Sequence, residues 1–148
     1  MPAVGSGLDR ALYATFLSYY RSEDFRYPLK VNQDPRGLFC EVLKTPDHGQ
    51  ISYLTAKPGQ TRGEHYHHTK NEKFLVVQGD ACFRFRNLVT EETHEIYVSG
   101  DHPEIVETIP GWAHNVSNVG DSDLRVLLWA NEIFDINCPD TYSYSLSR

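Results

Sequence analysis

Gly59-Gln60-Thr61-Arg62-Gly63-Glu64-His65-Tyr66-His67-His68-Thr69-Lys70-Asn71-Glu72-Lys73-Phe74-Leu75-Val76-Val77-Gln78-Gly79 is the stretch on which the reading of this chain turns. His65 and His67 stand two residues apart, so in a strand both imidazoles leave the same face. A short turn then returns the chain, and Glu72, Phe74 and Val76 alternate to one side of a second run. Gly79 supplies the tight turn that ends it. A fourth donor follows in Gly111-Trp112-Ala113-His114, which opens a strand behind a Pro-Gly turn. Three imidazoles and a carboxylate form a mixed nitrogen and oxygen set suited to Zn, Fe, Mn, Ni or Cu. His65, His67, Glu72 and His114 are therefore the predicted metal ligands. A lone His-x-His pair often lies on an ordinary polar strand face. The fixed-offset glutamate and the glycines at both ends make the pattern far more specific.

Working outward, the same alternation recurs in short runs broken by turn signals. The spacing predicts strands at 38–43, 51–56, 65–67, 73–77, 81–86, 94–98, 105–109, 113–117 and 124–133. The breaks include Asp34-Pro35-Arg36-Gly37, Pro58-Gly59, Gly79-Asp80, Pro110-Gly111 and Gly120-Asp121, each rich in residues with fixed or permissive φ. Many short strands with frequent turns define an all-β sandwich, jelly roll or barrel. Ahead of them, Leu8, Ala11, Leu12, Phe16 and Tyr19 recur at helical spacing and predict one amphipathic helix over 8–20, packed on the barrel or on a partner subunit. Residues 1–7 are small and expected to be flexible. The division is thus a linker and helix over 1–22 and a barrel over 23–148.

Composition narrows the function. A chain of 148 residues is one domain by length. A net charge of −6 and a pI near 5.6 argue against broad binding to nucleic acid or an anionic membrane. The longest apolar runs are too short to span a bilayer. Three widely spaced cysteines suggest neither a disulfide framework nor a Cys-x-x-Cys metal site, and the expected location is the reducing cytoplasm. There is no GxGxxG between a strand and a helix, so no dinucleotide-binding unit is expected.

The stretch 59–79 resembles the first cupin motif at every spacing: glycine, five residues, His-x-His, four residues, glutamate, six residues, glycine. Gly111-x-x-His114-x-x-x-Asn118 resembles the second half of the second motif, although Pro110 directly precedes the glycine. The runs 65–79, Phe83-Arg84-Phe85-Arg86, 97–101, Asn131-Glu132 and Pro139-Asp140-Thr141-Tyr142 are similar to a narrower family. That family comprises the C-terminal cupin domains of the capsular polysaccharide enzyme CapF and its O-antigen relatives. The resemblance implies an RmlC-like jelly-roll barrel and a divalent metal, zinc first, with Fe, Mn or Ni as the others. It also implies a homodimer and a preceding NADPH-dependent reductase domain, of which 10–19 resembles the joining segment. The activity implied is isomerisation: metal-dependent epimerisation at C3 of a UDP-linked 2-acetamido-2,6-dideoxy-4-keto-hexose for capsule or O-antigen.

Such chemistry needs groups that remove and return a proton beside a ketone. His68, Tyr53, Lys70 and Lys73 are the sequence's candidates, each also readable as structural or solvated. Arg62, Arg84 and Arg86 are candidate diphosphate contacts, since the guanidinium fork suits phosphate oxygens, and Trp112 is a candidate stacking surface for a ring. Two rival readings follow from the same residues. One is an oxygenase, because this ligand set also holds iron; oxygen consumption separates it. The other is a non-catalytic sugar-nucleotide-binding or oligomerising module, in which His65→Ala and His114→Ala leave ligand affinity untouched.

Overall fold

Among the described residues, 4–146, the computed structural model has one α-helix and eleven strands. The helix is α1 (Leu8–Ser18). The strands are β1 (Val31–Asp34), β2 (Gly37–Thr45), β3 (Gly49–Ala56), β4 (Thr61–Tyr66), β5 (Glu72–Gln78), β6 (Asp80–Asn87), β7 (Thr93–Ser99), β8 (Ile105–Thr108), β9 (Trp112–Asn118), β10 (Leu124–Ala130) and β11 (Tyr142–Ser143). One sheet has the order β1-β2-β3-β10-β5-β8 and the other β11-β4-β9-β6-β7. Every pairing is antiparallel. This is the all-β jelly-roll barrel that the alternation and the resemblance predict.

Period-2 patterning decides what lies between the sheets. Leu54, Phe74, Val76, Val126 and Leu128 point inward from one sheet. Phe83, Phe85, Val98 and Val116 meet them from the other. Phe74 and Phe83 join the layers edge to face, their ring centroids 5.4 Å apart. Burying each such side chain stabilises the fold by about 1.5–3 kcal/mol relative to exposure. At the opposite end the apolar filling gives way to polar residues. In register across the first sheet there, Glu72 and Gln50 flank Ala130. Across the second, His65, His114 and Phe85 are in register.

Five sequence expectations change. The ligand strand, expected at 65–67, is β4, which starts earlier at Thr61 and ends at Tyr66, leaving His67 just beyond it. The run expected to continue to 133 ends at Ala130, because the chain leaves the sheet there and crosses the barrel mouth. β1 and β11 had no apolar signal: both are edge strands with largely exposed residues. The helix stops at Ser18 and a 3-10 turn follows at Ser22–Phe25. No residue of α1 is buried, and Leu8, Leu12 and Phe16 stay exposed, so its apolar face does not pack on the barrel. Of the segment expected to be flexible, residues 1–3 lie outside the described residues. Cys40, Cys82 and Cys138 are free thiols, as their spacing suggests. No helix among the described residues is long and apolar enough to cross a membrane.

Candidate metal centre and cavity

A one-residue bulge sets the aim of the first ligand. Arg62 pairs with Val116, but beyond Gly63 the register slips, so that His65 pairs with His114. Without the extra residue, Glu64 would face the interior at that level. Glu64 instead sits in the left-handed region with φ of 66°, and its carboxylate turns outward to accept from the Asn115 side chain and the Leu146 amide. Arg62 and His65 thereby both point inward although they stand three positions apart. β9 delivers His114 from the same sheet. β5 opens with Glu72 from the opposite sheet, and His67 comes from the turn that joins the two.

One ligand atom from each of His65, His67, Glu72 and His114 lies within 4.8 Å of the others. Ligands that share an ion at about 2.0–2.2 Å stand roughly 3–4 Å apart, so a small inward adjustment completes the shell. Glu72 Oε2 is 3.2 Å from His67 Nε2 and 3.4 Å from His114 Nε2. His114 Nε2 is buried and makes no well-formed hydrogen bond, with Glu72 Oε2 at 3.4 Å as its polar neighbour, so it faces the space that a shared cation would fill. His67 Nδ1 donates to the Asp140 carbonyl at 2.5 Å, which leaves its Nε2 lone pair for the interior when the ring is neutral. The residues present therefore fit a divalent metal.

The charges agree with that use. Burial, then the His114 imidazole, pushes His65 down to about 4, so the ring is neutral at ordinary pH. Burial opposes ionisation of Glu72, yet the His114 and His67 imidazoles beside it outweigh that effect and hold the carboxyl well below its usual range. The sign for the metal-free chain follows. Unfolded His65 takes up a proton near 6.5 and folded His65 only near 4, so the unfolded state binds more protons between those values. Stability of the metal-free chain should therefore rise with pH from about 4 to 6.5, and lowered Glu72 adds in the same direction below its ordinary pKa. Urea midpoints at pH 4.5, 5.5 and 7 in the presence of chelator measure this; a flat series contradicts it.

These groups line an open cavity of about 920 Å3, with Leu54, Phe74, Phe83 and Leu128 among its apolar walls and Lys30, Asn32 and Arg62 among its polar ones. Arg62 Nη1 is 3.3 Å from Asp34 Oδ1. A strap from 131 to 141 contributes Glu132, Ile133, Phe134 and Thr141. Of the candidate proton carriers, Lys70 lines the cavity: its buried ammonium donates to Pro139 O at 2.7 Å and Thr141 Oγ1 at 3.1 Å, with Glu132 Oε1 at 3.7 Å.

The other three point away, Tyr53 and Lys73 by strand parity and His68 from the turn after β4. Tyr53 faces opposite to the cavity-lining Ser52 and Leu54. Lys73 lies opposite to Glu72 and Phe74 and pairs with Glu107 at 2.6 Å. The His68 ring stays outside, against Tyr142 at 4.4 Å between centroids. Phe83 and Phe85 point inward, so Arg84 and Arg86 lie on the outer face, paired with Glu95 at 2.7 Å and Glu91 at 3.4 Å. Trp112 packs against the apolar core rather than lining the cavity. Tyr53→Phe, Lys73→Ala and Arg84→Ala should each change catalytic rate and metal content by less than about twofold, since exposed ion pairs contribute only about 0–1 kcal/mol. A tenfold loss in any of them would place the active groups on the outer face. Sequence reading gave no cavity position to Lys30, Asn32, Glu132 or Thr141, although Glu132 and Thr141 lie in runs that carry the resemblance. The lysine and asparagine lie at an edge with no alternation, and the strap has no periodicity at all.

A jelly-roll barrel whose interior gathers three histidines and a glutamate that could hold a metal defines the class: a cupin. The model for the "Polysaccharide biosynthesis C-terminal domain" matches residues 32–142, and the chain belongs to that family. It is 56% identical over 145 residues to the UDP-2-acetamido-2,6-beta-L-arabino-hexul-4-ose reductase of Pseudomonas aeruginosa, spanning 98% of this chain and 39% of that protein. CapF from Staphylococcus aureus, a capsular polysaccharide assembling protein, superposes with a TM-score of 0.94 at 50% identity, over 99% of this chain and 40% of that one. Bacillus subtilis oxalate decarboxylase shares the fold alone, with a TM-score of 0.65 at 17% identity over 78% of this chain and 30% of that one. The chain thus spans about two-fifths of the length of the close relatives.

Proposed function

We propose that this domain is a metal-dependent epimerase acting at C3 of a UDP-linked 2-acetamido-2,6-dideoxy-4-keto-hexose, with zinc as the first choice of metal. The observation that carries the reading is the convergence of His65, His67, Glu72 and His114 at one end of an open cavity. The likeness to a protein named for a UDP-linked 4-keto sugar supports the substrate class. A divalent cation held by these four residues supplies a Lewis acid for a ketone oxygen, which lowers the barrier to losing the neighbouring C–H proton.

The chain's own residues do the rest. Lys70 is the proton-carrying side chain in the cavity wall, and the Pro139 carbonyl and Thr141 hydroxyl fix its ammonium. The apolar walls exclude water from the carbon that is deprotonated. Arg62 and Lys30 present cationic heads for the diphosphate. The exposed apolar face of α1 suits a neighbouring domain or subunit, in keeping with a reductase domain ahead of this one and a homodimer. Unpaired cysteines suit the cytoplasm.

The test is isotope exchange. Incubated with the 4-keto sugar nucleotide in D2O, the metal-loaded chain should place deuterium at C3, and chelator should stop it. Retention of the original C3 hydrogen, with metal bound, would rule the epimerase out. Oxygen uptake in the same assay would favour the oxygenase.

A further inference from the structure

The turn between His67 and Glu72 decides whether both can reach one ion, yet its amides at 68–70 lie outside the strand ladders and need partners elsewhere. One residue from the far end of the chain supplies them. Asp140 Oδ1 accepts from the His68 amide at 2.9 Å; Oδ2 accepts from the Thr69 amide at 2.9 Å, the Thr69 hydroxyl at 3.0 Å and the Lys70 amide at 2.8 Å. The same residue's carbonyl accepts from His67 Nδ1 at 2.5 Å. Both groups face one turn because Asp140 occupies the left-handed region, at φ of 39°, which aspartate tolerates better than most residues. We infer that Asp140 is a positioning residue of the metal centre, its carbonyl orienting the His67 ring while its carboxylate fixes the turn that spaces His67 from Glu72. The inference rests on the metal reading of the four ligands.

The geometry makes the strap and the ligand shell a single unit. β11 follows directly and pairs Tyr142 with Tyr66 and Ser143 with His65, so the strap runs along the ligand strand. The Asp140 backbone carbonyl persists in any substitution, but the carboxylate that holds it against His67 does not. Asparagine offers one acceptor oxygen and an amide that cannot accept, so Asp140→Asn frees part of the turn with little change in volume.

Zinc affinity of the purified chain, by competition with a chromophoric chelator, is the measurement. Co(II) absorption bands and backbone amide exchange at 68–70 accompany it. Asp140→Asn should weaken zinc roughly 10- to 100-fold, as lost ligand-orienting partners do. It should also shift the Co(II) bands and speed amide exchange at those three positions. A general loss of stability would leave the Co(II) bands where they are. If Asp140→Asn does not fold, Thr69→Val, which removes the hydroxyl that donates to Asp140 Oδ2, decides in its place with roughly a two- to fivefold loss. Unchanged affinity and bands in the folded variant, while the unaltered chain binds zinc, overturn the role of Asp140 and leave the metal centre standing. Failure of the unaltered chain to bind zinc, iron or manganese overturns both.

Discussion

Glu72→Gln should lower metal affinity by about 10- to 100-fold and bring C3 proton exchange to background. Glutamine keeps the shape of the side chain and its place in register with Ala130 and Thr108, so the sheet has no reason to rearrange. What disappears is the only anionic ligand among the four. A dication then shares the pocket with three neutral imidazoles and an amide, and loses a charge-assisted contact of about 1.5–3 kcal/mol in a site shielded from water. The metal-free variant should also show His65 titrating lower, since the Glu72 charge is the leading influence that opposes the effects of burial and His114. Calorimetric titration with zinc measures the first effect and proton NMR of the histidines the second. Metal binding as tight as in the unaltered chain would remove this carboxylate from the centre, and with it the four-ligand reading.

Lys70→Met separates holding the metal from moving the proton. Methionine retains most of the buried stem, while the ammonium and its bonds to Pro139 and Thr141 are lost. C3 exchange should fall by about 100-fold or more, the usual contribution of a positioned acid or base, with metal content unchanged. Thr141 Oγ1 still donates to Pro139 O at 2.9 Å, so losing the ammonium's bonds costs about 0.5–1.5 kcal/mol; the melting temperature should drop and the rate comparison belongs well below it. Exchange that survives at full rate beside a lowered melting temperature would confine Lys70 to tying the strap to the barrel. The two substitutions together distinguish a dead site from an empty one.

The candidate ligand set was legible because its logic is local. His-x-His on a strand, a glutamate past a turn and glycines at both ends fix directions over a few residues. Likewise Phe83 and Phe85 mark one face of β6, so Arg84 and Arg86 could be read as outward-facing from parity, and they are. The same parity turns Tyr53 and Lys73 from the cavity, a deduction available from Ser52, Leu54, Glu72 and Phe74. The strap was not legible. Its residues alternate with nothing, and its role depends on crossing to a turn about seventy positions earlier in the chain.

By itself, then, the sequence determined the barrel class, the inward faces of the long strands and the identity of four convergent side chains, since period-2 alternation and turn chemistry act between near neighbours. Tertiary structure alone decided the bulge at Glu64 that aims His65, the placing of Lys70 in the cavity wall, and the closure of the turn between His67 and Glu72 by Asp140. Those depend on register and on contacts between distant segments. Each such contact reflects which unsatisfied polar groups the folded chain happens to bring together, and no spacing rule along the chain encodes that.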